Sequence, residues 1–155
     1  MNNVLAKAVA FGEALRPEFK TYAAQVVANA KALSDALMQR GFKLVTNGTD
    51  NHLVLADVHS SFGIDGGEAE TVLDTIGLTL NKNAIPNDEL PPFKPSGIRL
   101  GTPAITTRGM KEVDMERIAE WMSQAIKSRS DEKQLAALRN EVKDFCLQFP
   151  LPSDN

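Results

Sequence analysis

The sequence predicts an α+β fold: a small, antiparallel-leaning sheet covered by helices and preceded by a long connecting helix. Three observations carry this reading. Phe19, Tyr22, Ala23, Val26, Val27, Ala30, Leu33 and Leu37 recur at spacings of three and four, the pattern of a long amphipathic helix. Short apolar runs bounded by Gly, Asn, Asp and Pro follow in the middle of the chain, with one helical stretch inserted among them. Helical stripes then return toward the C-terminus. Strands grouped in this way, rather than alternating strictly with helices, point to α+β.

Residues 3–15 (NVLAKAVAFGEAL) are Ala-rich and helical, but Val4, Leu5, Ala8, Val9, Phe11 and Leu15 spread over more than one face. Such a helix is expected to pack against something larger. Pro17 suits the first turn of the long helix, where its missing N–H costs nothing, and Gly41 suits the left-handed position that ends it. Phe42–Val45 and Leu53–Val58 read as strands around the turn-rich Thr46–Asn51 (TNGTDN). Asp65 caps a predicted helix over Gly66–Thr75, with Ala69, Val72, Leu73 and Ile76 on one face and Gly77 as its stop. Leu78–Leu80 is the third strand candidate.

Residues 81–96 (NKNAIPNDELPPFKPS) hold four prolines and three asparagines, which excludes a regular helix or a central strand. A loop this long inside a compact domain is often functional. Gly97–Leu100 reads as a short strand, and Thr102-Pro103 as an N-cap followed by a proline opening a short helix. Met115, Ile118, Ala119, Met122 and Ile126 mark a helix running to about Lys127. Ser130, Asp131 and Glu132 open the last helix, whose stripe is Leu135, Leu138, Val142, Phe145 and Phe149, with Pro150 and Pro152 ending it.

A chain of 155 residues, 43% hydrophobic and 24% charged, buries a real core without a disulfide or metal staple. The net charge of −3 and the lack of any Lys/Arg-rich run exclude a nucleic-acid footprint. The longest apolar runs are too short for a membrane span. No secretory leader opens the sequence and Cys146 stands alone, so a reducing, cytoplasmic location is expected.

Among candidate chemical groups, Arg99 comes first. It lies between Ile98 and Leu100 in a short strand leaving the Pro-rich loop, where a rigidly held guanidinium suits bidentate binding of a carboxylate or phosphate; an arginine on the solvent face of an edge strand reads the same way. Asn81, Asn83 and Asn87 offer amides for a polar heterocycle and Phe93 a stacking face, although Asn and Pro are also plain turn formers. His52 and His59, seven apart, face opposite sides of an extended strand and make no chelating pair, and Asp57 beside His59 is too little for a metal or a dyad. Gly63, Gly66 and Gly67 form no phosphate loop. Thr106-Thr107-Arg108-Gly109 is turn-like, Lys82 reads as solvated, and Cys146 lies on an apolar helical stripe.

Four blocks resemble one family. Ala6–Phe19 (AKAVAFGEALRPEF), Gly48–Leu53 (GTDNHL), Asn81–Pro86 (NKNAIP) and Ser96–Gly109 (SGIRLGTPAITTRG) are similar to serine hydroxymethyltransferase, over roughly its last third. The resemblance implies the small C-terminal α+β domain of a fold-type I pyridoxal-phosphate transferase that interconverts serine and glycine, with tetrahydrofolate as cosubstrate. It divides the chain into residues 1–16, the last helix of the large domain; 17–41, the connecting helix; and 42–155, the small domain. It further implies that Arg99 holds the amino-acid carboxylate, that Asn83 contacts the folate pterin and that Phe93 lies near the folate. Partners are then the large pyridoxal-phosphate domain of the same enzyme, a second subunit in a homodimer, and the small-molecule substrates, with no nucleic acid and no membrane. The Schiff-base lysine, the pyridine-nitrogen aspartate, the stacking histidine and the phosphate cradle have no counterpart here, so the chain alone is expected to be inactive, with no catalytic residue of its own. Ala84 and Leu90-Pro91-Pro92 depart from the family's loop pattern. The alternatives are a stand-alone binding or regulatory module without catalysis, and the small domain of another fold-type I enzyme such as an aminotransferase, against which the Asn81–Pro86 loop argues.

Overall fold

The computed structural model describes residues 2–151. Helix α1 (Asn2–Ala14) leads into the long α2 (Pro17–Gln39), and the sheet strands β1 (Lys43–Leu44), β2 (Leu53–Asp57), β3 (Asn81–Asn83) and β4 (Gly97–Gly101) follow. Two helices, α3 (Val58–Phe62) and α4 (Gly66–Thr75), are inserted between β2 and β3, and α5 (Pro103–Thr107), α6 (Glu112–Lys127) and α7 (Glu132–Cys146) complete the chain. The strand order is β1-β2-β4-β3 and every pairing is antiparallel. The fold is α+β, as expected.

The core lies between one face of the sheet and the helices. Val54, Ala56 and Ile98 point into it from the strands; Leu33, Ala36 and Leu37 enter from the C-terminal half of α2; and Ala69, Leu73, Met115, Met122, Ile126 and Leu138 enter from α4, α6 and α7. The positions read from helical periodicity in α4 and α6 are all buried. α2 ends as its glycine dictates: Gly41 has φ +91°, its N–H donates to Met38 O, and Phe42 N–H donates to Leu37 O. Gly77, at φ +87°, closes α4 with the same pair of bonds, to Asp74 O and Leu73 O. Asp131 caps α7, accepting from Lys133 N and Gln134 N. Pro152, read as ending that helix, lies outside the described residues.

Several local expectations are corrected. Leu78–Leu80 is not a strand. Leu78 N is committed to the cap of α4, and pairing begins only at Asn81, where the backbone runs beside β4. β3 is an edge strand, the one sheet position its Asn- and Pro-rich sequence tolerates. The first strand is only Lys43–Leu44, because Thr46 (φ 64°) and Asn47 (φ 53°) turn left-handed just beyond it. β2 stops at Asp57, whose carboxylate accepts from Ser60 N and starts α3 there. His59 therefore lies in a helix and His52 precedes β2, so the two never share a strand. Thr102 precedes α5 as read, but its hydroxyl donates to Val26 O on α2 instead of capping the helix.

α1 buries none of its residues; Phe11 is 68% and Leu15 87% exposed. Its apolar surface is as uncovered as the sequence suggests. Among the described residues, no helix is long and apolar enough to cross a membrane.

Candidate functional site

The sheet has two unlike faces. Register places Leu55, Arg99 and Asn81 in one row across β2, β4 and β3, with Gly97 and Asn83 in the next row on the same side. Their neighbours in sequence, Ala56 and Ile98, point into the core. Arg99 therefore stands on the face that the helices leave open, fixed by strand pairing on both sides. Its guanidinium makes no hydrogen bond or ion pair among the described residues, which leaves its five donors available. Asn83, diagonal to Arg99 across the β3–β4 pair, sits roughly 7–8 Å away between Cα atoms.

Arg99 borders a cleft of about 660 Å3 whose far wall is α2. Lys31, Ser34 and Asp35 line it from that helix, Val45–Asn51 from the turn before β2, and Leu53 and Leu55 from β2 itself. Lys31 Nζ pairs with Asp35 at 3.2 Å, so the helix wall presents a neutralised pair, and Arg99 and Asp50 border the cleft without an ion pair to either. Ser34 is buried, and its Oγ has no hydrogen-bond partner among the described residues. The left-handed Thr46 and Asn47 lie in the turn that lines the cleft; a β-branched residue at positive φ is strained, and such strain concentrates at functional sites.

The strand that carries Arg99 is tied down at its far end by buried polar contacts to α2. Asn29 is fully buried; its Nδ2 donates to Thr106 Oγ1 and Met110 O, both at 2.9 Å, and its Oδ1 accepts from Gln25 Nε2. With the Thr102 hydroxyl on Val26 O and Tyr22 Oη donating to Pro103 O, the segment after β4 is stapled to α2 by groups that all find partners.

The structure brings Arg99 and Asn83 onto one face and keeps Phe93 apart. Phe93, 72% exposed in the 84–96 loop, does not border the Arg99 cleft. The Asn83 side chain is turned to its own loop, with Nδ2 donating to Ala84 O at 2.6 Å, and its Oδ1 has no hydrogen-bond partner among the described residues. Two residues escaped the sequence reading. Asn81 was noted only as one of three loop amides, yet it is the cross-strand partner of Arg99. Asp88 carried no signal at all, although it gathers four hydrogen bonds within the loop.

No group of three or more His, Cys, Asp or Glu residues able to hold a metal occurs among the described residues.

The family model for serine hydroxymethyltransferase matches residues 1–122. A serine hydroxymethyltransferase of Acidobacterium capsulatum is 54% identical over 146 residues, which is 94% of this chain and 34% of that protein. One of Koribacter versatilis is 50% identical over 148 residues, 96% of this chain and 34% of that protein. The chain thus spans about a third of the length of these curated relatives. It belongs to the serine hydroxymethyltransferase family, and its sequence corresponds to a C-terminal part of such an enzyme.

Proposed function

We propose that this chain forms the substrate-carboxylate wall and part of the folate site of a cytoplasmic, homodimeric serine hydroxymethyltransferase, and that it has no catalytic activity alone. The observation that carries the reading is the unpartnered guanidinium of Arg99, held by two strand pairings on the open face of the sheet. A planar fork fixed by backbone on both sides orients a carboxylate, whereas a lysine offers a point charge with no preferred plane. Serine and glycine share an α-carboxylate, so one such clamp serves both directions of the reaction. Asn83 offers a carbonyl oxygen to the ring N–H and amino groups of a pterin, and Phe93 offers an exposed apolar face.

The residues present do not fit a complete pyridoxal-phosphate site. The one lysine bordering the cleft, Lys31, has a side chain 69% exposed and paired with Asp35, without the desolvation or cationic neighbour that a nucleophilic lysine needs. When bound by the rest of the enzyme, the cofactor supplies the electron sink for chemistry at the amino acid's α-carbon. This chain's share is to bind and orient. The bare apolar surface of α1 supports the same reading, because the remaining two-thirds of the enzyme would cover it. It equally suits a second reading, in which the chain is a non-catalytic module that docks through α1 on a separate full-length copy.

The test joins this chain to the remaining two-thirds of the Acidobacterium capsulatum relative. In that assembled enzyme, Arg99→Ala is expected to weaken serine and glycine binding roughly 30- to 5,000-fold, the range for truncating one partner of a desolvated charge pair. Arg99→Lys should restore it incompletely, and pyridoxal-phosphate content should not change. Near-normal serine affinity, or loss of the cofactor instead, refutes the assignment. Turnover by the unjoined chain refutes its inactivity.

A further inference from the structure

The loop between β3 and β4 contains four prolines and turns at the left-handed Asn87, yet its backbone converges on one side chain. Asp88 Oδ2 accepts from Ile85 N at 3.2 Å and from Ser96 N at 2.9 Å, while Oδ1 accepts from Leu90 N at 3.0 Å and from Ser96 Oγ at 2.6 Å. The Ser96 hydroxyl, then the Ser96 N–H, hold this carboxyl well below the usual carboxylate range. Ser96 is itself anchored: it is buried, its carbonyl accepts from Val58 N and His59 N, and the neighbouring Pro95 carbonyl accepts from Gly66 N. Asp88 thus ties the outgoing arm of the loop, which leaves Asn83, to the returning arm fixed on α3 and α4. Phe93 makes no ring contact among the described residues and is mostly exposed, so its own burial does not hold the loop in place.

We propose that Asp88 is a positioning residue for the folate ligand, acting without touching the ligand itself through the loop that carries Phe93 and that orients the Asn83 side chain by its bond to Ala84 O. This rests on the folate half of the proposed function. Arg99 is held independently, by Leu55 and Asn81 across the sheet, so the two substrates are expected to respond differently when Asp88 is changed.

Asp88→Asn is the informative variant, because either amide orientation turns its NH2 toward at least one backbone N–H, that of Leu90 or those of Ile85 and Ser96. In the assembled enzyme, the KM for tetrahydrofolate should rise about tenfold or more while that for serine stays within about twofold, the penalty expected of a misplaced binding group. Ser96→Ala, which removes one of the four bonds and keeps the carboxylate, should shift tetrahydrofolate in the same direction by less. An unchanged tetrahydrofolate KM, or an equal loss for both substrates, overturns the proposal. Asn83→Ala separates the two claims. If it leaves tetrahydrofolate unaffected, the folate reading fails; if it weakens tetrahydrofolate and Asp88→Asn does not, the positioning role alone fails. In the unjoined chain, amide exchange at Ile85 and Leu90 should accelerate in Asp88→Asn while the β2–β4 amides stay protected. Loss of protection across the sheet, or unfolding of both variants, would make Asp88 a residue of the whole fold and overturn the proposal.

Discussion

Asn81 stands directly opposite Arg99 in the antiparallel β3–β4 pair, and its Nδ2 is already spent on Lys82 O at 2.9 Å. Neither amide atom bonds the guanidinium, and the edge strand carries no carboxylate to neutralise the arginine. This arrangement separates stability from function. Arg99→Ala in the unjoined chain should change unfolding free energy by no more than about 0.5 kcal/mol, the range for an exposed side chain with no partner. Urea denaturation checks this; a much larger loss would mean that Arg99 holds the fold rather than a ligand.

Gly66 and Gly12 form a matched pair. A Cβ on Gly66 would lie 2.1 Å from Gly97 O and 2.9 Å from Pro95 O, both backbone atoms, whereas one on Gly12 meets nothing within 4 Å. Gly66→Ala should cost about 3 kcal/mol or more by forcing α4 off the sheet. Gly12→Ala, inside an exposed helix, should favour local helicity by about 0.5–1 kcal/mol. Thermal melts followed by circular dichroism distinguish the two.

The pH dependence of stability follows from three carboxylates. Asp88 is held low by Ser96, Glu112 by its backbone N–H and Gln25, and Glu120 by Gln124 and Arg40. A folded-state pKa below the unfolded one contributes stability that is fully present above the unfolded value and is lost as pH falls toward the folded one. The Asp88 contribution is thus complete above its ordinary value of 3.8 and drains away below it. Denaturation midpoints should be flat from neutrality down to about pH 5 and then fall. Asp88→Asn should flatten part of that acid limb, and an unchanged slope would contradict the carboxylate's role.

The unjoined chain should self-associate through α1. Val4, Leu5, Val9 and Phe11 are each more than 60% exposed, and apolar patches beyond a few hundred Å2 are unusual on monomers. Sedimentation should show concentration-dependent association, abolished by Val4→Lys with Phe11→Glu. A clean monomer at high concentration, without binding of apolar dyes, would contradict this.

The long helices were legible because burial repeats with their period: Leu33 and Leu37, or Met115, Met122 and Ile126, need only a 3.6-residue rhythm to be placed inward. Helix ends were legible at Gly41, Gly77 and Asp131, where the backbone geometry demands a particular residue type. Strands β2 and β4 were read to within a residue of their ends, but β3 was not, since the three residues Asn-Lys-Asn pair with β4 only because α4 and the Asp88 loop deliver them there. Arg99 was visible as a candidate, but its open face depends on register, and Asp88 depends on donors two, three and eight residues away whose convergence no local pattern encodes. Phe93 stands apart from the cleft because the loop carries it there.

The sheet order has a consequence for how this chain is made. Strand β2 can meet the two residues of β1 as soon as it emerges, but its other edge waits for β4, and Arg40 at the end of α2 meets Glu120 across 80 residues of sequence. Contacts this distant bear the loop-closure cost before they give any return, which slows folding relative to a bundle of local helices. On the ribosome, at about 5–20 residues per second, the apolar stripe of α2 waits roughly 4–16 s for its partner on α6 to emerge. During that interval Leu33 and Leu37 have only the short strands and α4 of their own chain to cover them, and the nascent polypeptide is a natural client for holdase chaperones.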